Sequence, residues 1–150
     1  MTVNGSQKLH YVFVYGTLKT RQVRECNWPV RPQTITLAWT LGRLYDTGPY
    51  PALLPGNDAV AGQVWGIQEV DMPLTLQVLD EIEGTNQPGM RNDYDREKIT
   101  VHLQDGGCLE AERYVFARRE LVRNFTYLEP ELEFAGRQLS IWPKGSAWVV

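Results

Sequence analysis

The chain has 150 residues and a mass of 17.2 kDa, enough for a single domain that buries roughly 70% of the surface its unfolded form exposes, without disulfides or metal. Fifteen basic against eighteen acidic side chains give a net charge of −3 and a sequence pI near 5.4, which argues against a nucleic-acid-binding module. Cys26, Cys108, His10 and His102 fall in no metal-ligand spacing, and Ser6, Ser140 and Ser146 in no G-x-S-x-G context, so zinc and serine-hydrolase chemistry have no foothold.

Residues 1–10 read MTVNGSQKLH, too polar for a secretory signal, and no segment approaches the ~20 apolar residues that cross a bilayer. The expectation is a soluble, cytoplasmic protein with Cys26 and Cys108 as reduced thiols. Residues 11–15, YVFVY, are β-branched and aromatic and stop at Gly16, which predicts a buried central strand entering a tight turn. Residues 34–45 alternate Ile35, Leu37, Trp39 and Leu41 and predict a second strand, followed by the turn-forming Asp46-Thr47-Gly48-Pro49-Tyr50-Pro51. A third strand is expected over residues 59–70, with Gly62 and Gly66 marking bends or close packing in a curved sheet. A helix follows, with Asp71 as N-cap, Pro73 in its first turn, Leu74, Val78, Leu79 and Ile82 at helical spacing, and Gly84 at its end. Residues 96–103 and 109–116 flank Asp105-Gly106-Gly107 as a hairpin, while residues 121–150 carry no assignable pattern. Strands with one helix and no repeat or linker predict a single α+β domain spanning residues 1–150, with a strongly curved or closed sheet.

Three segments carry chemical interest. A glycine turn after a buried strand, Tyr15-Gly16-Thr17-Leu18, directs consecutive amide N–H groups outward, which is how backbone holds a carboxylate; the plain alternative is an ordinary strand end. In Leu79-Asp80-Glu81-Ile82-Glu83-Gly84, Glu83 occupies the last helical turn, where the helix dipole opposes its charge. Asp80, three residues earlier on the same face, adds like-charge repulsion, and burial would raise the Glu83 pKa further. A carboxyl poised nearer neutrality suits general acid/base work, whereas the alternative is a solvated acidic helix end. Residues 42–53 hold glycine, proline, Tyr45 and Tyr50, and either wall a pocket or simply connect two strands.

These segments, in this order, resemble the γ-glutamylcyclotransferase-like superfamily, in particular its γ-glutamylamine cyclotransferase branch. The resemblance runs through Tyr15-Gly16-Thr17-Leu18-Lys19, Leu44-Tyr45, Tyr50-Pro51-Ala52-Leu53, Leu79-Asp80, Glu83-Gly84, Tyr94, Arg96 and Tyr114-Val115-Phe116. It departs at Thr20-Arg21, where relatives often carry glycine, and after Phe116.

The resemblance implies a compact mixed β-barrel flanked by short helices. It implies that the backbone of Tyr15, Gly16, Thr17 and Leu18 binds the substrate's α-carboxylate, and that Glu83 is the catalytic acid/base. Tyr114 is expected to reach the substrate and donate to its carboxylate or carbonyl, and Tyr50 to border the same site. Arg96 is expected mainly to pair with Asp80 or another carboxylate and hold helix to strand. The implied reaction is attack of the substrate's own α-amine on its γ-glutamyl carbonyl, releasing 5-oxoproline and an amine or amino acid. Such a reaction needs no metal, no cofactor and no enzyme nucleophile, and its partner is a small γ-glutamyl substrate rather than nucleic acid or membrane. The alternatives are a non-catalytic ligand-binding barrel of the same fold, or an amide-cleaving relative acting on another acyl group. Trp142 and Trp148 are expected to pack the core or to border the pocket mouth.

Overall fold

A computed structural model describes residues 8–150; the polar start, residues 1–7 with Ser6, lies outside the described part. In chain order the elements are β1 (Leu9–Val14), β2 (Thr34–Asp46), β3 (Pro51–Gln68), α1 (Met72–Glu83), β4 (Tyr94–Leu103), β5 (Cys108–Phe116), β6 (Thr126–Tyr127), β7 (Leu132–Phe134) and β8 (Arg137–Ser140). Short 3-10 helices cover Glu25–Asn27, Glu69–Asp71 and Arg119–Asn124. No helix among the described residues is long and apolar enough to cross a membrane.

Strands β2, β4, β5, β1 and β3 hydrogen-bond in that order, and β3 pairs back onto β2, so five strands close into a barrel. Closure rests on β3, whose 18 residues serve two neighbours at once. It pairs antiparallel with β2 from Thr34↔Gly66 to Asp46↔Pro51 and with β1 from Leu9↔Gln68 to Val14↔Gln63. A strand squeezed in this way needs a glycine where a backbone presses on it. At Gly62 a Cβ would lie 2.6 Å from Phe13 Cζ and closer still to the Val14 carbonyl oxygen.

β1 is buried on both faces, as its unbroken apolar run requires. Phe13 joins Leu44, Leu53, Val60, Val64 and Val101 inside the barrel, whereas Val12 and Val14 join Trp65, Ile67, Met72 and Leu79 beneath α1. Burying each such side chain contributes roughly 1.5–3 kcal/mol. β2 is a strand as its alternation predicts, but the barrel-facing set is the other one. Ala38, Thr40, Gly42 and Leu44 are buried while Leu41 is 44% exposed. A five-stranded barrel has little interior room, so the small residues of β2 turn inward and the larger Trp39 packs outside, stacked on His102 and with the Arg137 guanidinium 4.4 Å from its ring centroid.

α1 begins after Asp71, with Pro73 in its first turn, yet the Asp71 side chain makes no capping bond. Instead the Asp71 carbonyl accepts from Thr75 Oγ1 at 2.8 Å. The buried face is Met72, Thr75 and Leu79, while Leu74 is half exposed. The tail, which shows no readable periodicity, forms β6 against β2, and β8 parallel to β3 with β7 at the sheet edge. Cys26 and Cys108 are free and exposed.

Candidate active site

The turn after β1 is built by a close approach. Gly16 passes so near Pro51 that a Cβ there would lie 2.6 Å from its Cγ and 2.7 Å from its Cδ. Lys19 N–H donates to the Gly16 carbonyl at 3.1 Å, closing the turn, and Arg24 N–H donates to the Thr17 carbonyl at 2.8 Å. The amides of Gly16, Thr17 and Leu18 donate to no described residue. The turn is held from behind instead. Trp28 stacks on Trp65 at 4.0 Å and donates to the Leu18 carbonyl, while buried Lys19 donates Nζ to the Trp142 carbonyl at 2.6 Å. A row of unpaired amides on a rigid support is a preformed anion site.

Glu83 is the last residue of α1, and Gly84 closes the helix in the left-handed conformation with φ 63°. Glu83 and the turn residues Tyr15, Gly16, Thr17 and Leu18 line one cavity of about 340 Å³, joined by Tyr50 at its exposed side and by Tyr114. All seven side chains or turn residues singled out from the sequence therefore meet in one place. The Glu83 carboxylate makes no hydrogen bond or ion pair with any described residue. Burial lifts its pKa from 4.5 to about 7, with the Arg24 guanidinium pulling in the opposite direction. The expected repulsion from Asp80 is not a cause of this rise. Asp80 is neutralised, accepting from Arg96 Nε at 2.8 Å and from Tyr114 Oη at 2.7 Å, and Arg96 also donates to Glu112 at 2.6 Å. Arg96 thus ties α1 to the strands, as anticipated.

The tyrosines depart from expectation in one respect. Tyr114 donates its hydroxyl hydrogen bond to Asp80, Tyr94 to the Pro51 carbonyl at 2.7 Å, and Tyr15 to the Tyr114 carbonyl. Tyr114 is therefore not a free donor to a ligand carboxylate or carbonyl. The Tyr15 oxygen is also engaged by the Leu53 amide, whereas the Tyr94 and Tyr114 hydroxyls retain lone pairs, which suit a ligand's N–H groups. Burial raises the pKa of all three, so they stay protonated.

Tyr94, Val23, Arg24 and Asp93 also line the cavity and were not legible as site residues. Tyr94 carries no signal in the sequence beyond its place in the resemblance, and nothing in the neighbourhood of Arg24 signals that its loop folds back over α1, where it donates to the Ile82 carbonyl at 3.2 Å. Trp142 and Trp148 do not line the cavity; Trp142 is buried in the barrel and Trp148 donates to the Gly62 carbonyl. Among the described residues no three His, Cys, Asp or Glu side chains converge as a metal site requires.

The model of the AIG2-like γ-glutamyl cyclotransferases matches residues 12–132, which include every residue of the cavity's turn, helix end and strand wall named above. The chain belongs to this family. AIG2-like protein D of Arabidopsis thaliana is 31% identical over 129 residues, covering 79% of this chain and 74% of that protein. In structure, the family member resembles a mouse AIG2-like protein with a TM-score of 0.57 at 23% identity, over 93% of this chain and 99% of that one. It resembles YkqA of Bacillus subtilis with a TM-score of 0.58 at 20% identity, over 87% of this chain but only 40% of YkqA. At these identities the likeness is one of fold: the closed barrel with few short helices is that of the family.

Proposed function

We propose that the chain catalyses γ-glutamyl cyclotransfer with Glu83 as general acid/base. The observation that carries this reading is an unpartnered carboxyl with a pKa near 7 sharing one cavity with three unpaired backbone amides. In the reaction, the Gly16, Thr17 and Leu18 amides take the substrate's α-carboxylate, whose charge matches their aligned dipoles. For the neighbouring α-ammonium the cavity offers acceptors in the lone pairs of the Tyr94 and Tyr114 hydroxyls and in the Glu83 carboxylate.

Glu83 removes a proton from the ammonium, freeing the nitrogen lone pair. The nitrogen attacks the γ-carbonyl carbon, a five-membered ring closes, and the bond to the departing nitrogen breaks as Glu83 returns the proton to it, while the ring nitrogen, carrying one hydrogen more than the lactam keeps, gives that proton to the released amine. The products are 5-oxoproline and the amine as its ammonium ion; no water is consumed. Attack within one molecule converts orientation into rate, removing several kcal/mol of barrier when amine and carbonyl are fixed together. One carboxyl near pKa 7 serves both proton transfers, because it gains and loses a proton at little cost near neutral pH.

Incubation with a panel of γ-glutamyl amides, read by mass-spectrometric detection of 5-oxoproline, tests the proposal. The wild-type protein forms 5-oxoproline, and Glu83→Gln lowers turnover by roughly 10²–10⁴-fold. Calorimetric binding of these compounds without product, or full turnover by Glu83→Gln, would overturn it.

A further inference from the structure

The formal charges around the cavity are few, and they differ in how they are engaged. Asp93 lies 2.9 Å from Arg118, an ion pair without hydrogen-bond alignment, and so is neutralised. Glu83 has no hydrogen-bond or ion-pair partner among the described residues. Arg24 is the one cation that lines the cavity among the described residues, and it forms no ion pair with any of them. A single guanidinium N–H donates to the Ile82 carbonyl, at 3.2 Å, which leaves four of its five donors for a ligand. Ile82 is the residue before Glu83, so the bond that steadies Arg24 also places it next to the group that hands a proton to the leaving nitrogen.

If the turn amides hold the α-carboxylate and Glu83 the α-amine, the part of the substrate beyond the scissile bond lies toward the open side of the cavity, where Arg24, Val23 and Tyr50 are exposed. A planar guanidinium with free donors is a carboxylate receptor, and it repels a second ammonium. We infer that Arg24 is a specificity residue that recognises a carboxylate on the leaving amine, so that the preferred substrates are γ-glutamyl amino acids rather than γ-glutamyl derivatives of simple amines. The inference rests on the cyclotransferase reading and adds to it the chemical class of the leaving group. Val23, 78% exposed beside Arg24, and the Tyr50 ring supply apolar surface for that amino acid's side chain.

The test compares γ-glutamyl-alanine with γ-glutamyl-ethylamide, which match in the cleaved bond and differ in the carboxylate. The expected wild-type preference in kcat/KM for γ-glutamyl-alanine is about tenfold, the low end for a charge-assisted hydrogen bond because Arg24 is exposed. Arg24→Ala brings the ratio of the two substrates close to one, chiefly by raising KM for γ-glutamyl-alanine; Arg24→Lys restores part of the preference. Any change that Arg24→Ala makes to the Glu83 carboxyl affects both substrates alike and cancels in the ratio, and continued turnover of the ethylamide shows that the variant is folded. A wild-type ratio near one, or a ratio unchanged in Arg24→Ala, overturns the inference while leaving the cyclotransferase reading intact. If the wild-type protein yields 5-oxoproline from neither compound, both fall.

Discussion

Replacing Glu83 with glutamine should make the protein more stable above neutral pH, and the size of the gain follows from its burial. The folded-state pKa is raised, to about 7 from 4.5. As pH rises from 4.5 toward 7 the unfolded chain releases this proton while the folded chain keeps it. The stability linked to the group is therefore complete below pH 4.5 and is lost as pH climbs through 7. The loss relative to low pH is about 1 kcal/mol at pH 5 and about 3 kcal/mol at pH 8.5, the latter an upper bound because solvent reaches part of the side chain. Glutamine has nearly the same shape and never ionises, so it escapes the loss.

For a chain of this size about 3 kcal/mol corresponds to a rise in Tm of roughly 6–10 °C. Thermal unfolding of both proteins at pH 5 and pH 8.5, followed by circular dichroism, reads the effect directly. The variant should gain clearly more at pH 8.5 than at pH 5 while losing cyclotransferase activity. An equal shift at both pH values, or destabilisation at pH 8.5, would refute the argument, because the carboxyl would then be either solvated or held by a partner. The same carboxyl should set the acid limb of kcat/KM near pH 7, since the free enzyme must present it ionised.

Three further outcomes follow from the surroundings of the site. Gly16→Ala drives a methyl group into Pro51 and should cost about 1–3 kcal/mol in urea unfolding, with a fall in kcat/KM as the amide row shifts. Arg96→Met leaves Asp80 and Glu112, whose side chains are only 14% and 10% exposed, facing each other without their cation; a loss of about 2–3 kcal/mol is expected by chemical denaturation. Burial lowers the Lys19 pKa from 10.5 to about 8, so its ammonium weakens the fold at neutral pH and that penalty fades as pH rises above 8; the stability difference between wild type and Lys19→Met should change by about 2 kcal/mol between pH 7.5 and 9.5.

Legibility followed the range of the interactions involved. β1, α1 and the β4–β5 hairpin declare themselves through local signals: an apolar run ending at Gly16, Pro73 and Gly84 bracketing a helix, and Asp105-Gly106-Gly107 between alternating strands. β3 was foreseen only from residue 59, because Pro51-Ala52-Leu53 reads as loop until β2 is known to pair with it through Asp46↔Pro51. β6, β7 and β8 span two, three and four residues and depend on distant partners, such as Tyr45↔Tyr127 and Ala59↔Leu139, that no local pattern announces. The site divides the same way. Glu83 and the Gly16 turn stand out because each sits at an element's end, where backbone groups go unpaired. Arg24 and Tyr94 reach the cavity only through the folding of the segments between them, so their roles were hidden.

The contrast between two acids one helical turn apart bears most directly on what the cavity does. Asp80 and Glu83 share α1, the negative end of its dipole and a strand wall that includes Tyr114, so helix position alone treats them alike. Their partners do not. Asp80 collects Nε and Nη2 of Arg96 and the Tyr114 hydroxyl, whereas Glu83 receives no hydrogen bond from any described residue, although Arg24 stands close enough to lower its pKa. A fold that needed only a pinned helix end would gain by turning Arg24 onto Glu83; here Arg24 donates to the adjacent carbonyl of Ile82 instead. Leaving a half-buried carboxyl unpaired destabilises the folded state and leaves its proton free to move. A structural acid gains nothing from that arrangement, while a residue that must take a proton from one nitrogen and return it to another depends on it.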